Sequence, residues 1–264
     1  MPTPELPPGQ IFKASSSAPL EKRPLVLFLH GLGADGKLAF ELLKLAEFGA
    51  RKRINIIAPN GTLDSAGRRF WNAGPACCNF DHKDIDDVAR ISALVEEWAR
   101  DPGVDSARLY LVGYSNGGFM AHRLACIRGQ PFAAVVSIAG AVTADAECHV
   151  DANLALLEVH GDADPSVHFE GGKVFDRADL APFLGAQAGF SKWAERLGCE
   201  GKPVSGPRLD LVPNLPAAET ETRSYANCRR GTVALWTVHG GNHYVGVRSS
   251  ILEPIWEFLN SHAR

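Results

Sequence analysis

Ser115 lies in Leu111-Val112-Gly113-Tyr114-Ser115-Asn116-Gly117-Gly118, after the apolar run that begins at Leu109 and before the helix-like stretch Phe119-Met120-Ala121-His122-Arg123-Leu124-Ala125. A serine presented at a sharp strand-to-helix turn needs glycines two places before and after it, because any side chain there would collide with the turn. Gly113 and Gly117 meet that need. G-x-S-x-G alone also suits an ordinary turn. The strand on one side and the helix on the other turn it into a constraint on the fold: a buried parallel strand feeding a helix, with a hydroxyl projecting above the sheet edge.

The rest of the chain repeats this alternation. Pro24-Leu25-Val26-Leu27-Phe28-Leu29 is a continuous apolar run that ends in His30-Gly31, as expected of a strand buried on both faces. Helical spacing follows over residues 38–48, then a strand over 54–58 that stops at Pro59. A long loop to about Asp81 carries Trp71-Asn72-Ala73-Gly74 and Cys77-Cys78, and long loops within a domain are commonly functional. A helix is expected over 84–100, its start rich in acids (Asp84, Asp86, Asp87) that the helix dipole favours. Strands are expected over 109–113, 132–138, 154–159 and 232–238, and helices over 116–127, 183–197 and 251–263. The polar, Pro-rich residues 200–226 form an excursion with no assigned structure. This order predicts an α/β fold with a doubly wound, mostly parallel sheet and helices on both faces, where ligands bind beyond the carboxyl ends of the strands. The 264 residues suffice for one core, so a Pro-rich N-terminal segment (1–23) is expected before a single domain (24–264).

A serine hydroxyl is a weak nucleophile. It needs a neutral imidazole to accept its proton and a carboxylate to fix the imidazole's tautomer. In this topology both follow the serine in the order Ser, acid, His, on strand-end loops. The loop His160-Gly161-Asp162-Ala163-Asp164-Pro165 supplies the acid, and Asp164 is favoured over Asp162, which adjoins the glycine and suits a bond to its own turn. The loop His239-Gly240-Gly241-Asn242-His243 supplies the base: His243 lies beyond the Gly-Gly turn, whereas His239 ends the strand. His168 follows the acid too closely. The oxyanion of an acyl-transfer intermediate needs two N–H donors, expected from Asn116 and from Leu32 in His30-Gly31-Leu32-Gly33. Trp71, Phe80 and Tyr114 are candidates for the substrate pocket, although a loop aromatic more often packs against the core.

A net charge of −3 with scattered Lys and Arg gives no surface for nucleic acid. No apolar run reaches the roughly 18 residues of a membrane span, and the Pro-rich start lacks the parts of a signal peptide. The expectation is a monomer that acts on a small or polymeric ester, without metal or other cofactor.

The segments Leu29-His30-Gly31, Trp71-Asn72-Ala73-Gly74, Asp86-Asp87-Val88, Gly-Tyr-Ser-Asn-Gly-Gly-Phe-Met from Gly113, His160 to Pro165 and Gly240 to His243 together resemble the α/β-hydrolase superfamily. Within it they are similar to the polyhydroxybutyrate depolymerase-like and feruloyl esterase-like branch. The resemblance implies a secreted serine carboxylic-ester hydrolase that works through an acyl-enzyme on feruloyl, acetyl or hydroxyalkanoate esters, with Asp164 as the acid. It departs at Tyr244-Val245-Gly246, where the branch commonly has Trp-Pro-Gly, and at Leu32, where it often has cysteine. An acyltransferase or a peptidase-like hydrolase on the same triad is the alternative. Six cysteines favour an oxidising compartment, with a cytoplasmic location as the alternative. Cys199 and Cys228 flank the 200–226 excursion, and both their placement and the resemblance suggest that they pair. Cys77 and Cys78 would stand about 3.8 Å apart across a trans peptide, too close for an ordinary disulfide, so Cys148 is the expected partner of one of them and Cys126 is expected to be free.

Overall fold

The computed structural model describes residues 6–7, 9–14, 21–144, 147–150, 153–216, 218–225, 227–247 and 249–264, so most of the Pro-rich start lies outside the described residues. Nine strands form the main sheet: β1 (Gln10–Phe12), β2 (Arg23–Leu29), β3 (Asn55–Ala58), β4 (Val104–Tyr114), β5 (Ala134–Ile138), β6 (Leu154–Gly161), β7 (Val204–Ser205), β8 (Thr220–Tyr225) and β9 (Gly231–Val238). Their order is β1-β3-β2-β4-β5-β6-β9-β8-β7. The six central strands are parallel, and antiparallel partners close both edges, β1 on one side and β8 with β7 on the other. This is the expected doubly wound α/β architecture. Because β1 joins the sheet and β2 starts at Arg23, the fold takes in residues that had been set before position 24.

Strand β2 shows why the central strands are mostly apolar. Leu25, Leu27 and Leu29 enter the core on one face, while Val26 and Phe28 enter the core on the other. The first face is covered by α3 (Asp87–Ala99), α4 (Asn116–Ala125) and α5 (Ala186–Leu197), which contribute Ile91, Phe119 and Trp193. The second is covered by α1 (Gly36–Leu43), α2 (Leu45–Lys52) and α6 (Leu252–Asn260), through Ala39, Phe48 and Trp256. The helix expected over 38–48 is two helices, broken where Lys44 takes a left-handed conformation (φ 52°). Helix α3 starts later than its acids suggested: the Asp86 carboxylate caps it by accepting from Ala89 N at 3.0 Å, while the buried Asp87 accepts instead from Asn72 N at 2.7 Å and Arg90 at 3.0 Å.

Three disulfides are present, Cys77–Cys78, Cys126–Cys148 and Cys199–Cys228. The last is the expected pair, at the base of an excursion whose far end is β8. The other two correct the expectation. The 77–78 peptide is cis, not trans, and the neighbouring sulfurs are bonded to each other. Cys148 is not on the upper sheet edge with the Trp71 loop, because the connection from β5 to the parallel β6 must return to the lower edge. There it meets the C-terminal end of α4, His149 N donating to Cys126 O at 2.9 Å, and Cys126 is bridged, not free.

Candidate active site

Ser115 occupies the turn between β4 and α4 with φ 55° and ψ −117°, a region that non-glycine residues rarely adopt. The glycines around it are there for space. A Cβ on Gly113 would lie 2.0 Å from Gly117 O, and one on Gly117 would lie 2.1 Å from Leu29 O, so strand, turn and helix pack backbone against backbone. The Ser115 N–H is held by Ile138 O at 2.8 Å. As the first helical residue, Asn116 has an N–H without an intrahelical acceptor.

The loops after β6 and β9 bring the two other expected residues to this serine. His243 Nε2 is 2.8 Å from Ser115 Oγ, and His243 Nδ1 is 2.7 Å from Asp164 Oδ2. The other Asp164 oxygen accepts from Ser166 N at 2.8 Å and Val167 N at 2.9 Å. Burial alone would raise the Asp164 pKa. Hydrogen bonds from His160 and His243, the charge of His243 and the Val167 N–H outweigh it and hold the carboxyl well below the usual carboxylate range. Asp164 therefore stays ionised, and His243 keeps its proton on Nδ1 and presents Nε2 as an acceptor to the serine.

Asp162 is elsewhere. It bonds His239 Nδ1 at 2.8 Å and Gly240 N at 2.7 Å, so it braces the next loop instead of its own turn. His168 faces Asp176 at the surface.

Leu32 lies beside Ser115 in the loop after β2, and among the described residues its N–H has no protein acceptor. His30 shapes that loop. Its Nδ1–H donates to Gly31 O at 2.8 Å and its Nε2 accepts from Gly61 N at 3.0 Å, which requires a neutral ring; burial pushes its pKa down to about 4.

A cavity of about 410 Å³ opens at Ser115. Its walls include Phe28, Leu32, Ala39 and Leu43, and its rim carries Leu38, Leu42, Phe175 and Tyr244, all exposed large apolar side chains. Tyr114 lines it as expected and donates its hydroxyl to His243 O at 3.0 Å. Trp71 and Phe80 do not. Trp71 is fully buried, its indole N–H donating to His30 O at 3.0 Å and its backbone paired on both sides with the Asn116 amide, at 2.7 and 2.9 Å. It is a core residue that joins the long loop to the serine turn. Phe80 packs against the core beneath the guanidinium of Arg177. Of the rim, the sequence pointed to Tyr244 through the departure from Trp-Pro-Gly after His243; Leu38, Leu42 and Phe175 went unread because α1 and the 175 segment converge on it only in space, with apolar Leu38 and Leu42 at i, i+4 as the one trace.

A parallel sheet with a serine on the turn after its central strand and a His and an Asp on two later strand-end loops defines an α/β-hydrolase. Residues 14–181 match the phospholipase/carboxylesterase family, and the chain belongs to that family of esterases. It is 30% identical to feruloyl esterase B of Piromyces equi over 183 residues, which cover 67% of this chain and 31% of that protein. It is 27% identical to the putative esterase NocK of Nocardia uniformis subsp. tsuyamanensis over 240 residues, covering 87% of this chain and 68% of the other. This chain thus spans about a third of the first relative's length. Among solved structures, the acetyl xylan esterase from Aspergillus awamori superposes with a TM-score of 0.68 at 14% identity, covering 95% of this chain and 92% of that one, a likeness of fold.

Proposed function

We propose that the protein hydrolyses carboxylic esters through an acyl-enzyme on Ser115, with His243 as general base and then acid, Asp164 as the residue that orients and balances it, and Leu32 N–H and Asn116 N–H as the oxyanion donors. The observation that carries this reading is the hydrogen-bond chain Ser115–His243–Asp164 opening into an apolar cavity. Attack of Ser115 Oγ on the ester carbonyl passes its proton to His243 Nε2, which returns it to the leaving alcohol; water then repeats the sequence on the acyl-enzyme. Among the described residues no Asp, Glu, Lys or Arg lines the cavity, which supports a neutral acyl group. Resemblance to a feruloyl esterase supports a hydroxycinnamoyl ester, with acetyl and hydroxyalkanoate esters as the other classes to test. The three disulfides support an oxidising compartment.

Turnover of methyl ferulate, a short acetyl ester and oligomeric 3-hydroxybutyrate, compared on one preparation, tests the substrate class. The expected order places methyl ferulate first in kcat/KM. Phosphonate labelling tests the chemistry, and labelling of any serine other than Ser115 would overturn it. An alcohol acceptor added to the assay separates hydrolysis from acyl transfer by the ratio of free acid to new ester.

A further inference from the structure

The face of β6 turned toward α4 and α5 carries Glu158 and His160, 5% and 1% exposed. The hydrogen bonds around them form one unbroken series whose proton positions are fixed from both ends. At one end the Trp193 indole N–H, which can only donate, meets His122 Nδ1 at 3.0 Å. His122 is therefore protonated on Nε2, from which it donates to Glu158 Oε2 at 2.8 Å. At the other end the Val167 carbonyl, which can only accept, lies 2.8 Å from His160 Nε2 and requires a proton there. The remaining link, Glu158 Oε1 to His160 Nδ1 at 3.2 Å, holds one more proton.

Asp164 decides which partner keeps it. Its Oδ2 lies 3.5 Å from His160 Nε2, fully buried and ionised. A neutral Glu158–His160 pair would leave this carboxylate without a buried cation on that side, whereas an imidazolium between Glu158 and Asp164 serves both. The groups around His160 are Glu158 on its own strand with His122 of α4 behind it, Asp164 with His243 on the same carboxylate oxygen, the Val167 carbonyl, and the edge-on ring of Phe169. Burial disfavours the charged ring, but the bonds to Asp164 and Glu158 outweigh it and push His160 up to about 9; Glu158 is held below its ordinary value despite its own burial.

We propose that His160 is a positioning residue, an imidazolium at neutral pH that bears on the same Asp164 oxygen as His243 and anchors it through Glu158 and His122 to Trp193. The inference rests on the triad reading above. With His160 charged, the buried group Glu158, His160 and Asp164 carries one net negative charge, which cancels when His243 takes the serine proton. Were the imidazolium lost with Glu158 still ionised, the group would carry two, and His243 would bind that proton too tightly to act as a base in mildly acidic solution.

Nitrogen NMR of histidine-labelled native protein tests the charge state without a variant. Both His160 ring nitrogens are expected to be protonated at pH 7; one unprotonated nitrogen there would overturn the proposal. In His160→Gln, checked for native near-UV dichroism, the acid limb of kcat/KM is expected to move to higher pH by on the order of one unit, with kcat reduced and KM little changed. A folded variant whose pH profile is that of the native protein would equally overturn it. Failure of the triad reading is distinguished by phosphonate labelling away from Ser115, since the NMR result does not depend on activity.

Discussion

Replacing Asp164 by asparagine keeps the side chain's shape and removes its charge, and the surrounding bonds dictate how the amide must sit. The oxygen now bonded to Ser166 N and Val167 N has to remain an oxygen, because both partners are donors. The amide NH₂ then takes the position 2.7 Å from His243 Nδ1, so a donor faces what was a donor. His243 answers by moving its proton to Nε2, toward Ser115 Oγ, and loses the lone pair that accepts the serine proton. Turning the amide over would instead break two backbone hydrogen bonds, the Val167 one buried and the Ser166 one partly so, at about 1–3 kcal/mol each. The wrong tautomer is the less costly state, and the expected loss in kcat is about 10⁴, or about 5 kcal/mol of transition-state stabilisation. Steady-state rates on p-nitrophenyl acetate, with circular dichroism to check the fold, measure it. Asp162→Asn, which touches only the His239–Gly240 loop, is expected to stay within a few-fold of the native rate. A folded Asp164→Asn enzyme within tenfold of native, or an Asp162→Asn enzyme that is the slower of the two, would refute the argument.

Ser115→Ala is expected to abolish both turnover and phosphonate labelling while leaving the melting temperature within a few degrees, which calorimetry checks. Stability should peak near neutral pH. His30, depressed to about 4, contributes fully above the unfolded histidine value of about 6.5 and loses that contribution as pH falls toward about 4; His160, raised to about 9, contributes fully below about 6.5 and loses it as pH rises through about 9. Melting temperatures recorded from pH 4 to 9 that show no alkaline decline would contradict the charged His160. Replacing Cys199 and Cys228 together by serine opens a loop of sequence separation 29 and is expected to cost roughly 3 kcal/mol in urea denaturation.

The alternation of apolar strands with helices was legible because burial on both faces leaves no polar residue in Leu25 to Leu29 of β2 or Ala134 to Val136 of β5. The serine turn was legible because backbone contact there admits only glycine. Strand β8 was not: Thr220 to Tyr225 carries Glu221 and Arg223 on half-exposed positions, and only pairing with β9 identifies it as a strand. Cys126 and Cys148 were misread because the path of a crossover sets their height, not their distance along the chain. Trp71 was misplaced for a similar reason, since a polar loop gave no sign that the Asn116 amide would draw it into the core. Glu158 and His160 left a trace, two ionisable residues at alternate positions of an otherwise apolar strand, but their meaning depends on Trp193, which lies on α5 far along the chain.

Most of the cavity rim is built on parts of the chain that do not serve the proton path; Tyr244, next to His243, is the exception. Leu38 and Leu42 ride on α1, and Phe175 on a surface segment beyond Val167, while the hydrogen bonds among Ser115, His243 and Asp164 run through the sheet-end loops. On the proposed reading, ester preference and bond cleavage are separately heritable: drift at these three exposed positions would retune which acyl group is held and leave the hydrolytic step intact, so a lineage could change its diet without relearning its chemistry.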